Sequence, residues 1–516
     1  MGKKFKLAIM VALSMVLFSN TALAEPQKMR IGQEDLIYFI MTDRFKDGDS
    51  SNNQDVKKES MNSYHGGDFQ GVIDKLDYIR ELGFTAIWIT PVVENQPAGY
   101  HGYWATDFYK TNEHLGSLEK LKELVQKAHE KGIKVIIDVV MNHTGQLHPW
   151  VGDPKYSGWF HDYGNIIDFN NQEEVELGAL SSLPDLRQEN PEVRKYLVEM
   201  AKWWIRETGI DGYRLDTVRH VPKDFWAEFS REIKKEYPDF FLLGEVFDGR
   251  LDYVAGYQKT GIDGLVDFPM HFAINDVFAG SQPAGRIAEI IHNSGAYPNK
   301  HLMGTFIDNH DVPRFTSQAS DMKEERLKQA LAFIMTYTGI PVVYYGTEIA
   351  MEGSADPDNR RDMNWDAQSP IRDYLKKLVE VRKSSKALMY GEINVIKSAD
   401  DSLCFSRTYE DETVITVFNL SGNRTEIEFG VKKSKENANT VLQDLVVSEN
   451  VEIKNDLVKL RMEPRQARIF CIKASEGIIK KNTAGLKVYW MFVGAAILIA
   501  VFAAVLMWRN KKSVNV

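Results

Sequence analysis

Four places in the sequence end a short apolar run in polar, titratable residues: Asp138-Val-Val-Met-Asn142-His143, Arg214-Leu-Asp216-Thr-Val-Arg219-His220, Gly244-Glu245-Val246 and Asp308-Asn309-His310-Asp311. A lone Asp in such a place is usually a helix cap or a turn former. Asp216, Glu245 and Asp311 gathered at one mouth with Arg214, His143 and His310 are a different matter. So many like charges repel at a cost unless they perform acid/base or nucleophilic work. Glycosidic cleavage uses such a set: one carboxylate attacks C1 while a protonated one about 5 to 5.5 Å away assists the leaving oxygen, with retention of configuration. Neighbouring strands lie about 4.8 Å apart, so residues topping adjacent strands suit that separation.

The elements that must position these residues follow from the hydrophobic pattern. Runs at Leu36–Thr42, Ala86–Thr90, Val135–Val140, Gly212–Leu215, Phe241–Gly244, Gly264–Phe268, Met303–Ile307 and Val342–Tyr345 alternate with amphipathic patterns such as Leu118–Lys131, Pro191–Glu207 and Lys223–Glu236. Eight βα units predict an α/β fold, a (β/α)8 TIM barrel, with its site at the C-terminal strand ends. The barrel is expected over 25–144 and 187–384. It is interrupted after its third strand by a small subdomain over 145–186, rich in Gly, Asn, Asp and aromatics and longer than an ordinary loop. From 385 to 473 short alternating strands predict an antiparallel β-sandwich.

The 516-residue chain carries a formal net charge of −9, so it offers no basic stripe to nucleic acid and suits a neutral partner. Lys3, Lys4 and Lys6, the apolar run Leu7–Phe18 and Ala22-Leu23-Ala24 read as a signal peptide over 1–24. Residues 474–487 read as a polar stalk and 488–508 as a transmembrane helix flanked by Tyr489, Trp490 and Trp508, with Arg509, Lys511 and Lys512 in a cytoplasmic tail at 509–516. The expectation is an exported monomer anchored to the cell membrane with its body outside, releasable by proteolysis in the stalk. Cys404 and Cys471 fit either a buried thiol or one bridge.

The four strand-end motifs, in this order, closely resemble those of the α-amylase family, glycoside hydrolase family thirteen, and the likeness runs from the first strand into the sandwich. The resemblance implies an α-amylase-type hydrolase of starch or maltodextrins, with Asp216 as nucleophile, Glu245 as general acid/base and Asp311 as transition-state stabiliser. It assigns His143 and His310 to sugar hydroxyls, Arg214 to holding Asp216 ionised, and Tyr103 in Gly99-Tyr-His-Gly-Tyr-Trp104 to stacking. Trp104 fits either the sugar or core packing. Arg219 and His220 resemble leaving-side contacts, although lysine is commoner at Arg219, and Asp356 with Arg360 resembles a further ion pair on the substrate side. Two calcium sites are also implied. One comprises Asn142, Asp185 and the His220 carbonyl, with Glu176 either a further ligand or a solvated surface residue. The other comprises Asp47, Asp49, Asn52, Asn53, Gly66 and Asp68, a set that an Asx-rich turn would also explain. Oxygen donors of this kind suit calcium.

Three other readings compete. The chain's start resembles cyclodextrin glucanotransferases, which would make it a cyclising or transferring enzyme. Against that, the chain ends after one sandwich, and Ser181 stands where those enzymes carry a ring-forming aromatic. Amylase-like barrels also serve as inactive transporter-associated subunits, which typically lack the full set of acids and carry an N-terminal anchor. A surface protein that holds glucan without cutting it is the third.

Overall fold

The computed structural model describes residues 29–431 and 440–474. Eight short strands, β1 (Ile37–Ile40), β2 (Ala86–Ile89), β3 (Lys134–Val139), β4 (Gly212–Leu215), β5 (Phe241–Gly244), β6 (Gly264–Leu265), β7 (Gly304–Thr305) and β8 (Ile340–Tyr344), form one sheet in the order β6-β5-β4-β3-β2-β1-β8-β7. All seven pairings are parallel. A parallel bridge between Val266 and Gly304, with the Asp267 N–H donating to the Gly304 carbonyl at 2.9 Å, closes the sheet into a barrel. Covered on both faces, the strands can be apolar throughout rather than alternating, which is why they read as continuous runs.

Eight helices follow the strands in turn: α1 (Phe69–Leu82), α2 (Leu118–Glu130), α3 (Pro191–Thr208), α4 (Lys223–Glu236), α5 (Leu251–Gln258), α6 (Gly285–Asn293), α7 (Lys323–Thr336) and α8 (Pro370–Lys383). Their starts are written in the sequence: Asp68, Ser117 and Asn190 each cap the following helix through a side-chain oxygen. On α4 the apolar stripe Phe225, Trp226, Phe229 and Ile233 is fully buried. Each such side chain contributes about 1.5–3 kcal/mol, and Trp226→Ala would cost roughly 3–5 kcal/mol. Inside the barrel Phe39 stacks on Trp88 at 3.8 Å and on Tyr344 at 4.9 Å, making an aromatic floor beneath the C-terminal strand ends.

The segment between β3 and α3 is largely irregular, with one short α-helix at Gln172–Leu177 and 3-10 turns at Pro154–Trp159 and Leu180–Ser182. It is tied to the barrel by a bridge between His143 and Asp185 and by the Leu186 N–H donating to the Asn142 carbonyl at 2.8 Å. After α8 come β9 (Glu392–Ser398), β10 (Ser402–Tyr409), β11 (Glu412–Asn419), β12 (Thr425–Gly430), β13 (Thr440–Asp444), β14 (Asn450–Glu452), β15 (Leu457–Met462) and β16 (Ala467–Ala474). They form a six-stranded sheet, β9-β10-β11-β16-β13-β14, and a separate β12-β15 pair. A core including Cys404, Val417, Ile427, Phe429, Leu460 and Phe470 joins the two. Against the barrel, Gln329 of α7 donates to the Asn419 carbonyl at 2.8 Å, and Arg407 of β10 donates to the carbonyls of Thr336 and Tyr337 at the end of α7.

One part of the expected fold class, and the location built on it, is corrected. Among the described residues no helix is long and apolar enough to cross a membrane. The longest, α3, spans 18 residues but carries charged residues such as Glu192, Lys195, Glu199 and Arg206 on its outer side, as a barrel helix facing water must. The fold is a barrel with C-terminal β-sheets, and membrane anchoring has no support in it. The apolar run at 488–508 lies outside the described residues, as do the signal segment 1–24, the stalk beyond residue 474 and the tail 509–516.

Candidate active site

The centre of the site is a buried guanidinium. Arg214, on β4 and 1% exposed, reaches Asp138 of β3 at 3.0 Å, Asp216 at 2.5 Å and Glu245 at 2.5 Å. Its guanidinium carbon lies 5.2 Å from the centre of the Trp88 ring of the barrel floor. Burial alone would lower its pKa, but the three carboxylates hold it far above its ordinary value. Register brings the acids together: Leu215 pairs with Gly244 across β4 and β5, so the residues that follow, Asp216 and Glu245, leave the sheet side by side. The Glu245 N–H donates to the Leu215 carbonyl at 2.9 Å, and Thr217 N–H donates to Glu245 Oε2 at 3.0 Å. Thr217 adopts φ +50, a left-handed conformation that a β-branched residue avoids unless its surroundings impose it.

Electrostatics divides the acids. Burial pushes the Glu245 carboxyl well above its usual range; Arg214 opposes this, while Asp216 and Asp311 add to it. Burial likewise raises Asp138 to about 7 against the pull of Arg214. Enclosure would raise Asp311 too, but His310, Arg360 and Arg214 bring it below its ordinary value. His310, His143 and His220 are all lowered chiefly by burial, His310 and His220 to about 3, so these rings are neutral hydrogen-bonding groups at pH 7.

These side chains face a cavity of about 630 Å³. Of the residues singled out in the sequence, Asp216, Glu245, Asp311, Tyr103, Trp104, His143, Arg219, His220, His310, Asp356 and Arg360 line it, with Arg214 beneath. Tyr103 is held by Asp138 at 2.8 Å and His310 at 2.7 Å, with its ring stacked on His310, and Trp104 packs edge-on against His101 at 4.3 Å. Arg360 pairs with Asp356 at 3.0 Å and with Asp311 at 3.4 Å. Sequence reasoning did not single out His101, Phe169, Leu180, Leu183 or Phe247, which also line the cavity, nor the role of Asp138 under it. Phe169 and Phe247 are 47% and 41% exposed, and that exposure of large aromatics is their signal.

With this geometry in place, the catalytic-domain model of the α-amylase family matches residues 39–387. The chain belongs to the α-amylase family. It is an α-amylase-family glycoside hydrolase by that match and by its relatives. A β/α-amylase of Paenibacillus polymyxa is 41% identical over 454 residues, which are 84% of this chain but only 37% of that protein. The crystal structure of an Anoxybacillus α-amylase superposes with a TM-score of 0.84 at 44% identity, covering 87% of this chain and all of that one. A three-domain cyclomaltodextrin glucanotransferase superposes with a TM-score of 0.77 at 31% identity, covering 85% of this chain and 99% of that one.

The residues read in the sequence as calcium ligands fall at two oxygen-rich places in this α-amylase-family chain. Between barrel and inserted segment, Asn142 Oδ1 and Asp185 Oδ1 are buried without a hydrogen-bond partner, while the other Asp185 oxygen accepts from His161 at 2.7 Å. His220 is in the adjoining turn, its ring 3.2 Å from the Val175 carbonyl, and Glu176 accepts from Gln172 at 2.6 Å. In the loop before α1, Asn52 Oδ1 and Asn53 Oδ1 are likewise buried and unpartnered; Asn53 donates to Asp47 at 2.7 Å, and Asp68 accepts from Asp49 N–H at 2.8 Å. Asp49 accepts from the Ser51 hydroxyl at 2.6 Å. Gly66 sits at φ +91, where a Cβ would collide with Asn53 Oδ1. Among the described residues no group of three or more His, Cys, Asp or Glu side chains is gathered as for a metal ion.

Proposed function

We propose that this chain is a retaining hydrolase of α-1,4-glucosidic bonds in starch or maltodextrins. The observation that carries the reading is the sharing of one guanidinium by Asp216 and Glu245, at 2.5 Å each. Two nitrogens of one planar fork are close together, which favours the about 5–5.5 Å separation of a nucleophile and acid over the roughly 6.5–9.5 Å needed to seat a water between an inverting pair. Asp216, paired with Arg214, attacks C1. Glu245, whose pKa burial raises, gives its proton to the leaving oxygen, and the bond from C1 to that oxygen breaks. Water then attacks C1 of the glycosyl-Asp216 ester with Glu245 taking its proton, and Asp216 leaves as carboxylate. Asp311 and the neutral rings of His143 and His310 bond sugar hydroxyls, and Tyr103 offers its face to the ring being cleaved.

Calcium belongs to the same proposal. Orphaned amide and carboxylate oxygens in a buried seam are what an oxygen-seeking divalent ion satisfies. Asn142, Asp185 and the His220 carbonyl would hold one ion, and Asp47, Asp49, Asn52, Asn53 and Asp68 another beside Gly66. When bound, calcium supplies fixed positive charge that joins inserted segment to barrel and orders the loop before α1.

The second reading, transfer or cyclisation, is favoured by one observation: Phe169 and Phe247 present exposed faces to the cavity, where an acceptor sugar could stack. Ser181, also in the lining, offers no ring around which a chain could curl. The product profile on soluble starch with calcium decides, comparing wild type with Glu245→Gln. Linear maltooligosaccharides released in the α-configuration, and lost in the variant, support hydrolysis with retention. Cyclic products would move the assignment to a transferase, and β-configured products would overturn retention.

A further inference from the structure

Arg219 was expected to touch sugar, yet its guanidinium is engaged elsewhere. One terminal nitrogen donates to the Phe169 carbonyl at 2.6 Å. The other donates to the Phe247 carbonyl at 2.8 Å and lies 3.2 Å from Asp248 Oδ2. The side chain is only 9% exposed, and its guanidinium carbon lies 5.4 Å from the centre of the Tyr253 ring. Its own carbonyl is held by Gln172 at 3.2 Å, from the inserted segment. Phe169 belongs to that segment and Phe247 follows β5, two residues beyond Glu245, so Arg219 ties together two separate parts of the chain at the cavity wall. The two phenylalanines are the large apolar side chains of the cavity lining most open to solvent.

We propose that Arg219 is a positioning residue: it sets the gap between the Phe169 and Phe247 rings, and through that gap the enzyme's grip on longer glucan chains. The inference rests on the function proposed above. A planar fork fixes two carbonyls at once, whereas a lysine ammonium is a single point of donation. Two aromatic faces at a fixed separation accept sugar rings with little loss of side-chain freedom.

The test is a double-mutant cycle between Arg219→Lys and the pair Phe169→Ala with Phe247→Ala, read as KM and kcat on maltotriose and maltoheptaose. In the wild-type background Arg219→Lys should raise KM for maltoheptaose roughly tenfold with kcat within about threefold, and leave maltotriose nearly unchanged, as loss of uniform binding does. Without the phenylalanines it should add less than about twofold. An undiminished effect in that background, which a direct Arg219–sugar contact would give, overturns the proposal, and so does an unchanged KM in the wild-type background. Should the lysine variant not melt cooperatively near the wild-type temperature, Arg219→Gln, able to serve one carbonyl only, takes its place in the cycle. Glu245→Gln separates the two readings. If it turns over like wild type, the proposed chemistry falls, and the cycle is read instead in maltoheptaose affinity by titration calorimetry, where vanishing of the Arg219 effect without the phenylalanines supports the clamp and its persistence overturns it.

Discussion

Exchanging Arg214 for lysine keeps one positive charge but leaves three buried carboxylates with a single point of contact in place of a fork. We expect kcat to fall at least about 100-fold and stability to drop by roughly 3–5 kcal/mol, the usual cost of breaking a buried ion cluster, checked by kinetics and denaturant titration. The Glu245 carboxyl carries a pH prediction of its own. It works as an acid while protonated, and burial raises its pKa above the ordinary 4.5, so kcat/KM should hold through mildly acid pH and fall on the alkaline side of that raised value. A decline centred at 4.5 would refute the assignment. Much of this was legible in the sequence because Asp216, Glu245 and Asp311 each interrupt an apolar run. The sharing of Arg214 by three acids was not: the barrel reading makes the strands of Asp138, Arg214 and Glu245 neighbours, but no spacing says that one side chain reaches all three acids. Phe169 and Phe247 were invisible for a simpler reason: they stand on irregular segments, where no periodicity marks the face a side chain takes.

Among elements, the inserted segment meets the barrel along a seam that holds the unpartnered Asn142 and Asp185 oxygens. Burial raises Asp185 from 3.8 to about 7, with His161 opposing. Because the folded value lies above the unfolded one, the native state holds the extra proton, and in metal-free protein this stability is full below about 4 and is lost as pH climbs through 7. Calcium should reverse the trend, so chelation at pH 8 is expected to lower the melting temperature more than chelation at pH 5 and to speed proteolysis within 145–190. Equal shifts at both pH values would argue against an ion at this seam. In the loop before α1, Gly66→Ala should cost more than about 1 kcal/mol, from its positive φ and the clash with Asn53, and should weaken any calcium protection there. Helix and strand positions were readable from apolar runs and from amphipathic periodicity. The inserted segment was recognisable by its length and composition, but its path was not, because that path depends on contacts to Asn142 and Tyr196 that no local pattern encodes.

For the molecule as a whole, barrel and sandwich share hydrogen bonds that neither can satisfy alone. Arg407 of β10 is fully buried and spends itself on the carbonyls of Gly391, Thr336 and Tyr337. Arg407→Ala should therefore destabilise by at least about 3 kcal/mol, since bonds from a charged donor contribute roughly 1.5–3 kcal/mol each, and should split a single calorimetric transition into two. A variant that still melts as one unit at the wild-type temperature would show the two domains to be independent. The barrel has a weaker joint of its own. Its circle is completed between β6 and β7, two strands of two residues each, through the Val266–Gly304 bridge. Glu245 and Asp216 stand on one side of that joint and Asp311, just beyond β7, on the other. A sugar gripped by all three is thus a stitch across a split hoop: occupancy of the cleft should slow hydrogen exchange at the Asp267 amide, some way below the sugar, and the enzyme would be hardest to pull apart while it is working.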